Sequence, residues 1–316
     1  MEVNVSSATL IALNSITALV MFGVSLSLKV DDFVRIIRSP KAPLVGMIAQ
    51  FIILPALSAL AAWLFNVPGE LALGMILIAS CPGGSFSNVV TFLAKGNVAV
   101  SVSMTAVSSL AAIIMTPFNF AFYGSILPQT AAMMQEGISI DPVNIFTLVF
   151  LLLAVPLALG MFIGAQFPWL VKKLDNPLRI FSLLVMFGFL ALVINNNKEQ
   201  FVSAFGIVVV ILVCQNSMAL LIGNFSAKLA GLPRADQKAV TLEVGIQNSA
   251  LAFSIIYTFY QDMFGMMQVA GLWGVWHLVT GLGMALLWGR EKVATEPQVE
   301  ESPTTDSQAA SNRVTG

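Results

Sequence analysis

The segment Glu243-Val244-Gly245-Ile246-Gln247-Asn248-Ser249 sets a carboxyl, two side-chain amides and a hydroxyl close together between long apolar flanks. Glu243 is the one acid expected well inside an apolar run, and no Lys or Arg is expected beside it. A carboxylate at bilayer depth is expensive and marks a functional position by default. It is either protonated or held against a cation. Hard cations such as sodium take oxygen ligands, and this stretch offers carboxylate, amide and, if the helix breaks, carbonyl oxygens. A protonated, purely structural Glu243 is the alternative on these residues alone.

A second unusual stretch is Cys81-Pro82-Gly83-Gly84-Ser85-Phe86-Ser87-Asn88. Proline removes a donor and clashes with the preceding turn, and paired glycines lower helix propensity. Irregular backbone at membrane depth is tolerated where protein buries it or where it lines a wet cavity. The alternative is a simple proline kink, against which Ser85, Ser87 and Asn88 argue. Further oxygens follow: Ser101, Thr105 and Ser108 fall at i, i+4, i+7, which reads either as a ligand stripe or as small-residue helix packing. Gln50 is either interhelical glue or part of a site. His277, the sole histidine, either lines a cavity or is a satisfied core residue. Two broken helices would present two half-helix N-termini, whose free N–H groups and partial positive charge suit an anion. A small organic anion is therefore the expected substrate.

The elements that must position these groups are membrane spans. Apolar residues make up 57% of the 316 and charged residues 10%, with mean hydropathy +0.88. So little charge cannot cover a water-facing surface. The net charge of −1 gives no sign of a nucleic-acid partner; the partner surface is lipid. Nine spans are expected, at about 8–28, 43–65, 70–94, 97–125, 144–167, 178–195, 200–230, 235–259 and 263–289. The acidic Glu2 and the lack of a basic start argue against a cleaved signal, so the first run reads as a true span. Cys81 and Cys214 have no metal-type or redox spacing. Residues 291–316 read as a disordered cytoplasmic tail. With this count, every Lys and Arg except Lys198 falls on one side, which predicts a cell (plasma) membrane protein with its N-terminus outside and its C-terminus cytoplasmic.

The chain also repeats itself. Leu19-Val20-Met21-Phe22-Gly23 recurs as Leu184-Val185-Met186-Phe187-Gly188, a shift of 165. At that shift Gln50 meets Gln215, Pro68 meets Pro233, and Pro82 falls on Gln247. His277 aligns with Ala112, so it is not a symmetric element. Span 1 then corresponds to span 6, and an odd separation inverts the second copy. The expected fold is an all-α polytopic membrane protein, an inverted-repeat secondary transporter with two crossing broken helices. Its first repeat is residues 1–125 and its second 126–290, with span 5 as an extra leading helix.

These residues resemble the bile acid:sodium symporter family. The stretches that carry the likeness are Cys81-Pro82-Gly83-Gly84 through Ser87-Asn88, Ala94-Lys95-Gly96-Asn97-Val98-Ala99, and Glu243 through Ser249. Ile48-Ala49-Gln50-Phe51 and Val275-Trp276-His277 add to it. The resemblance implies a core domain (spans 2, 3, 4, 7, 8, 9) that moves against a panel domain (spans 1, 5, 6). It implies two co-transported sodium ions, one held by Ser87, Asn88, Ser101, Thr105 and Glu243. The other would be held by Gln50, Glu243, Gln247 and the carbonyls of Val244 and Ile246. It also implies substrate contacts at Ser85, Asn248 and His277. The chain starts one helix later than ten-span members, as nine-span members do. It carries Leu278 where many bacterial relatives have a polar residue.

The function expected is sodium-coupled symport of an organic anion, bile acid-like or a small carboxylate such as pantoate or pyruvate, by alternating access. The alternative is a proton-coupled carrier or cation/proton exchanger using Glu243 and His277. A receptor role would not need two ion-type clusters. An enzyme is not expected: His277 has no acidic orienter, and neither GxSxG nor HExxH occurs. The expected assembly is a monomer or a weak homo-oligomer.

Overall fold

The computed structural model describes residues 28–136, 142–171 and 198–290, with single positions between 11 and 26 and between 173 and 188. All regular structure among these is helical: α1 (Val30–Arg38), α2 (Lys41–Leu64), α3 (Gly69–Ser80), α4 (Phe86–Leu93), α5 (Val98–Ile126) and α6 (Pro128–Glu136). Then come α7 (Pro142–Val149, a π turn at Phe150–Ala154, and Val155–Gln166), α8 (Lys198–Leu229), α9 (Arg234–Gly245), α10 (Ser249–Phe259) and α11 (Phe264–Gly289). Five helices are long and apolar enough to cross a membrane, and α3 and α10 are shorter apolar helices. Their lipid-facing sides show Leu57, Trp63, Phe118, Phe162, Leu221 and Leu286 exposed, as expected where the solvent is hydrocarbon. The chain is a multi-pass membrane protein.

Expected spans 2–5 and 7–9 fall on these helices. Spans 1 and 6, the five-residue repeat they carry and the tail lie mostly outside the described residues. The short α1 and α6 were not anticipated. Both sit in connections, where neither is long enough to show as a span.

Prolines shape the spans from within. Pro55 has no N–H to give to the Phe51 carbonyl. The helix widens into a π turn at Ala49–Ile53, and Asn119 Nδ2 donates to the Phe51 oxygen instead, at 2.8 Å. That π turn carries Gln50. A second π turn precedes Pro156 in the same way. On α7, Gly160 and Gly164 lie against the backbone of span 1: a Cβ at Gly164 would fall 2.2 Å from the Leu26 carbonyl oxygen. This is close small-residue packing of the kind that joins helices in lipid.

The 165-residue shift is written in the backbone. Asn66 (φ 46) and Gly231 (φ 63) stand at equivalent positions and both adopt left-handed conformations. Each ends its helix with the same bonds: Asn66 N to Trp63 O and Val67 N to Ala62 O, then Gly231 N to Lys228 O and Leu232 N to Ala227 O. These are paired Schellman caps. Pro68 (φ −51, ψ 140) and Pro233 (φ −56, ψ 151) follow in near-identical conformations. Each opens a helix of 12 residues, α3 and α9. Beyond those helices the copies diverge. The first break spans five residues (81–85) and the second three (246–248). Across the breaks Gly83, the middle residue of the first, pairs with Gln247, the middle residue of the second.

The two halves are also tied at their ends. Glu70 Oε2, in the first turn of α3, accepts the Gly265 N–H at the start of α11, at 2.7 Å. The start of α9 answers at the start of α5: Asn97 N donates to Ala235 O and Asn97 Nδ2 to Asp236 Oδ1.

Candidate functional site

α3 and α4 are two halves of one broken span, and α9 and α10 are two halves of another. At their breaks the extended segments pair antiparallel. Gly84 N donates to Ile246 O at 2.7 Å and Asn248 N to Pro82 O at 2.9 Å. This bridge satisfies backbone groups that the breaks free, as buried backbone requires. Side chains from the intact helices take two more. Thr116 Oγ1 donates to Ser80 O (2.7 Å) and Asn216 Nδ2 to Gly245 O (2.8 Å). Ser80 and Gly245 are the last residues of α3 and α9, equivalent at the shift of 165. The stretch at Pro82 is thus the expected break rather than the alternative of a simple proline kink.

Glu243 is fully buried, near the C-terminal end of α9. Ser87 Oγ donates to its Oε2 at 2.5 Å, Ser101 Oγ to Oε2 at 3.3 Å, and Thr105 Oγ1 lies 2.7 Å from Oε1. The same Thr105 oxygen is 3.3 Å from Asn88 Oδ1. All five residues expected at the first ion site thus converge from α4, α5 and α9. Gly83 makes this possible: a Cβ there would fall 2.2 Å from Glu243 Oε1. Thr91, one turn beyond Ser87 on α4, joins through its Oγ1 to Ser101 Oγ at 3.3 Å. It was missed because one Thr in an apolar helix carries no signal until α4 lies against α5.

Of the second expected set, Gln50, Gln247 and the Val244 carbonyl are linked to one another, with no hydrogen bond to the Glu243 carboxyl among the described residues. Gln50 Nε2 donates to Gln247 Oε1 at 3.3 Å, and Gln247 Nε2 to Val244 O at 2.8 Å. The Ile246 carbonyl holds the Gly84 amide, and each carbonyl keeps a second lone pair. Gln50 Oε1 is buried with no hydrogen-bond partner among the described residues. Gln215, the equivalent of Gln50 at the shift of 165, ties α8 to Met75 O (2.8 Å) and Ser58 Oγ (3.1 Å) through Nε2, and its Oε1 is likewise unpartnered among the described residues.

The substrate set is only partly brought together. Ser85 and Asn248 occupy matching places, each immediately before a half-helix, and both are half-buried. Asn248 Oδ1 caps α10 by accepting Leu251 N–H at 3.1 Å, and its Nδ2 reaches Met21 Sδ at 3.2 Å. His277 is buried in α11 with Nδ1 unpartnered among the described residues, and no described hydrogen bond links it to either. Ser108 turns away, its Oγ donating to Thr105 O at 3.1 Å. Lys238 is buried in α9, ahead of Glu243 on the same helix. It reaches the other way, Nζ donating to Ala94 O at 2.9 Å and Trp288 O at 3.4 Å, so those carbonyls take its ammonium rather than Glu243.

A buried carboxylate among hydroxyl and amide oxygens, at the crossing of two broken helices in an all-helical membrane protein, defines a membrane transporter. A family model for the Sodium Bile acid symporter family matches residues 15–204, and the chain belongs to that family. It is 30% identical over 273 residues to the "Uncharacterized sodium-dependent transporter YocS" of Bacillus subtilis, covering 86% of this chain and 81% of that one. It is 28% identical to the "Probable sodium/metabolite cotransporter BASS1, chloroplastic" of Arabidopsis thaliana, covering 85% of this chain and 65% of that one. It is 30% identical to the mouse "P3 protein", covering 74% of this chain and 48% of that one. The chain thus spans under two thirds of the plant protein and under half of the mouse protein. The family is one of sodium-dependent transporters, so the protein carries solute and sodium rather than catalysing a reaction.

Proposed function

We propose that the protein is a sodium-coupled symporter of a small organic anion that binds two sodium ions at the crossover and works by alternating access. The observation that carries the reading is the coordination of Glu243: its two oxygens face Ser87, Ser101 and Thr105, with Asn88 behind. In this reading Ser87, Asn88, Ser101, Thr105 and Glu243 hold one ion. Gln50, Gln247 and the carbonyls of Val244 and Ile246 hold the other, sharing Glu243. The C-terminal ends of α3 and α9 add partial negative charge, which favours cations there. Ser85 and Asn248, at the opposite half-helix N-termini, take the anionic group of the substrate, and His277 lines its cavity.

Coupling follows from the cost of the site. Without cations Glu243 is a buried charge with only hydroxyl donors, and the crossing is held by two amide–carbonyl bridges and a few side-chain hydrogen bonds. Two sodium ions neutralise the carboxylate, brace both breaks and complete the substrate surface. Spans 2–4 and 7–9 then move as a core against a panel of spans 1, 5 and 6. Residues 1–125 and 126–290 form the inverted halves, and 291–316 a tail. The protein sits in the plasma membrane, N-terminus outside and C-terminus cytoplasmic, consistent with the basic loops on one side.

The test is uptake by reconstituted vesicles. A sodium gradient should drive uptake of a carboxylate substrate in the wild type, and Glu243→Ala should abolish it. Uptake driven equally by a pH gradient in potassium would establish the proton-coupled alternative instead. Normal sodium dependence in Glu243→Ala would remove Glu243 from the ion site.

A further inference from the structure

A cavity of about 380 Å³ lies away from the crossover, on the face that carries the basic loops. α1 borders it through Ile36, and the starts of α2, α5 and α9 close it. Three helix N-termini thus meet around one space, and each contributes partial positive charge. Two of them lack a side-chain cap: Pro40 precedes α2 and Pro233 precedes α9, and neither offers one. The first intrahelical acceptances are Leu44 N to Pro40 O and Gln237 N to Pro233 O. At the start of α2 the Lys41 and Ala42 amides have no acceptor within their own helix, and Pro43 has no N–H. The third start, at α5, is capped by Asn97 Oδ1, which takes Ala99 N and Val100 N.

Two side chains sharpen the chemistry. Lys41 stands on the wall as a cation. Ser103, only 1% exposed, lines the same cavity, and its Oγ has no hydrogen-bond partner among the described residues. A buried hydroxyl left unpaired is costly unless something outside the protein completes it. The one acid on the wall, Asp236, opposes an anion, but its Oδ1 is already held by Asn97 Nδ2 at 2.7 Å. Ser39 adds a hydroxyl, and Ile36, Pro43 and Leu232 give the wall an apolar part.

We propose that this cavity binds the phosphate group of an amphiphile. The uncapped amides, Lys41 and Ser103 receive the phosphate oxygens, and the apolar wall receives the neck that bears it. A membrane phospholipid and a soluble phosphate ester share this headgroup chemistry. The apolar wall favours the lipid. Because α1 joins span 1 to the core, occupancy braces the start of α2 against it.

Native mass spectrometry of the full-length protein in detergent tests this, with phosphatidylglycerol and diacylglycerol, which has the same chains and no phosphate, added at equal concentration. Phosphatidylglycerol should be retained in preference, and Lys41→Gln combined with Ser103→Ala should weaken its retention roughly tenfold. Lys41 is exposed, so Lys41→Gln alone tests the charge without risk to folding. A parallel melt in inorganic phosphate separates the sources: protection by phosphate without retention of phosphatidylglycerol assigns the site to a soluble phosphate. Equal retention of the two lipids with no protection by phosphate would overturn the proposal. So would wild-type retention of phosphatidylglycerol by the double variant.

Discussion

Replacing Gly83 by alanine places a methyl carbon where the Glu243 carboxylate already sits. The new Cβ would lie 2.2 Å from Oε1 and 2.7 Å from Cδ, whereas carbon and oxygen settle at roughly 3.3 Å. Oε1 must therefore retreat by about 1 Å. A displacement of that size is enough to break or distort the 2.7 Å contact with Thr105. The obstacle is the end of a flexible side chain, so the chain still folds while the oxygen cage is displaced. A hydrogen bond to a charged group contributes about 1.5–3 kcal/mol, so sodium affinity should fall roughly tenfold to a hundredfold. The assay is a thermal-stability titration with sodium replacing potassium at constant ionic strength, read as the sodium concentration at half-maximal stabilisation. Gly283→Ala is the control, since nothing lies within 4 Å of a Cβ there. It should leave sodium affinity unchanged and gain up to about 1 kcal/mol of helix propensity. A folded Gly83→Ala protein with the wild-type sodium midpoint would refute the proposed role of Glu243, against which Gly83 packs, in holding sodium.

Two other changes probe the supports of the site. Thr91→Val removes one buried hydroxyl that bonds Ser101 while keeping its shape. About 1 kcal/mol should appear as a fewfold rise in the sodium midpoint, with little loss of stability in potassium. Asn119→Leu leaves the Phe51 carbonyl buried without its donor, a cost of about 1–3 kcal/mol. It should lower thermal stability in sodium and potassium alike, and the Gln50 side of the crossover should lose sodium sensitivity before the Glu243 side.

Much of this protein was legible in its sequence, because lipid leaves few choices. Hydrocarbon cannot satisfy a backbone amide, so long apolar runs had to be helices, and spans 2–5 and 7–9 fall within a few residues of the expected bounds. The same penalty made Glu243 and Pro82-Gly83-Gly84 stand out, since costly groups at depth persist only where they act. Their convergence was implied by a repeat that inverts, and Ser87, Asn88, Ser101 and Thr105 do gather around Glu243. Other features had no local signature. Thr91 and Asn119 are ordinary polar residues until helices distant in sequence lie against them, and Lys238 is an ordinary charge near a span end until Ala94 and Trp288 offer it their carbonyls. The register of the crossover was decided by the lengths of the two breaks, five residues against three, which identity at a fixed shift cannot see. Composition and cost told which residues the bilayer would not tolerate without a reason. Only tertiary packing decided which partner each one found, because hydrogen bonds between helices depend on crossing geometry that no single span encodes.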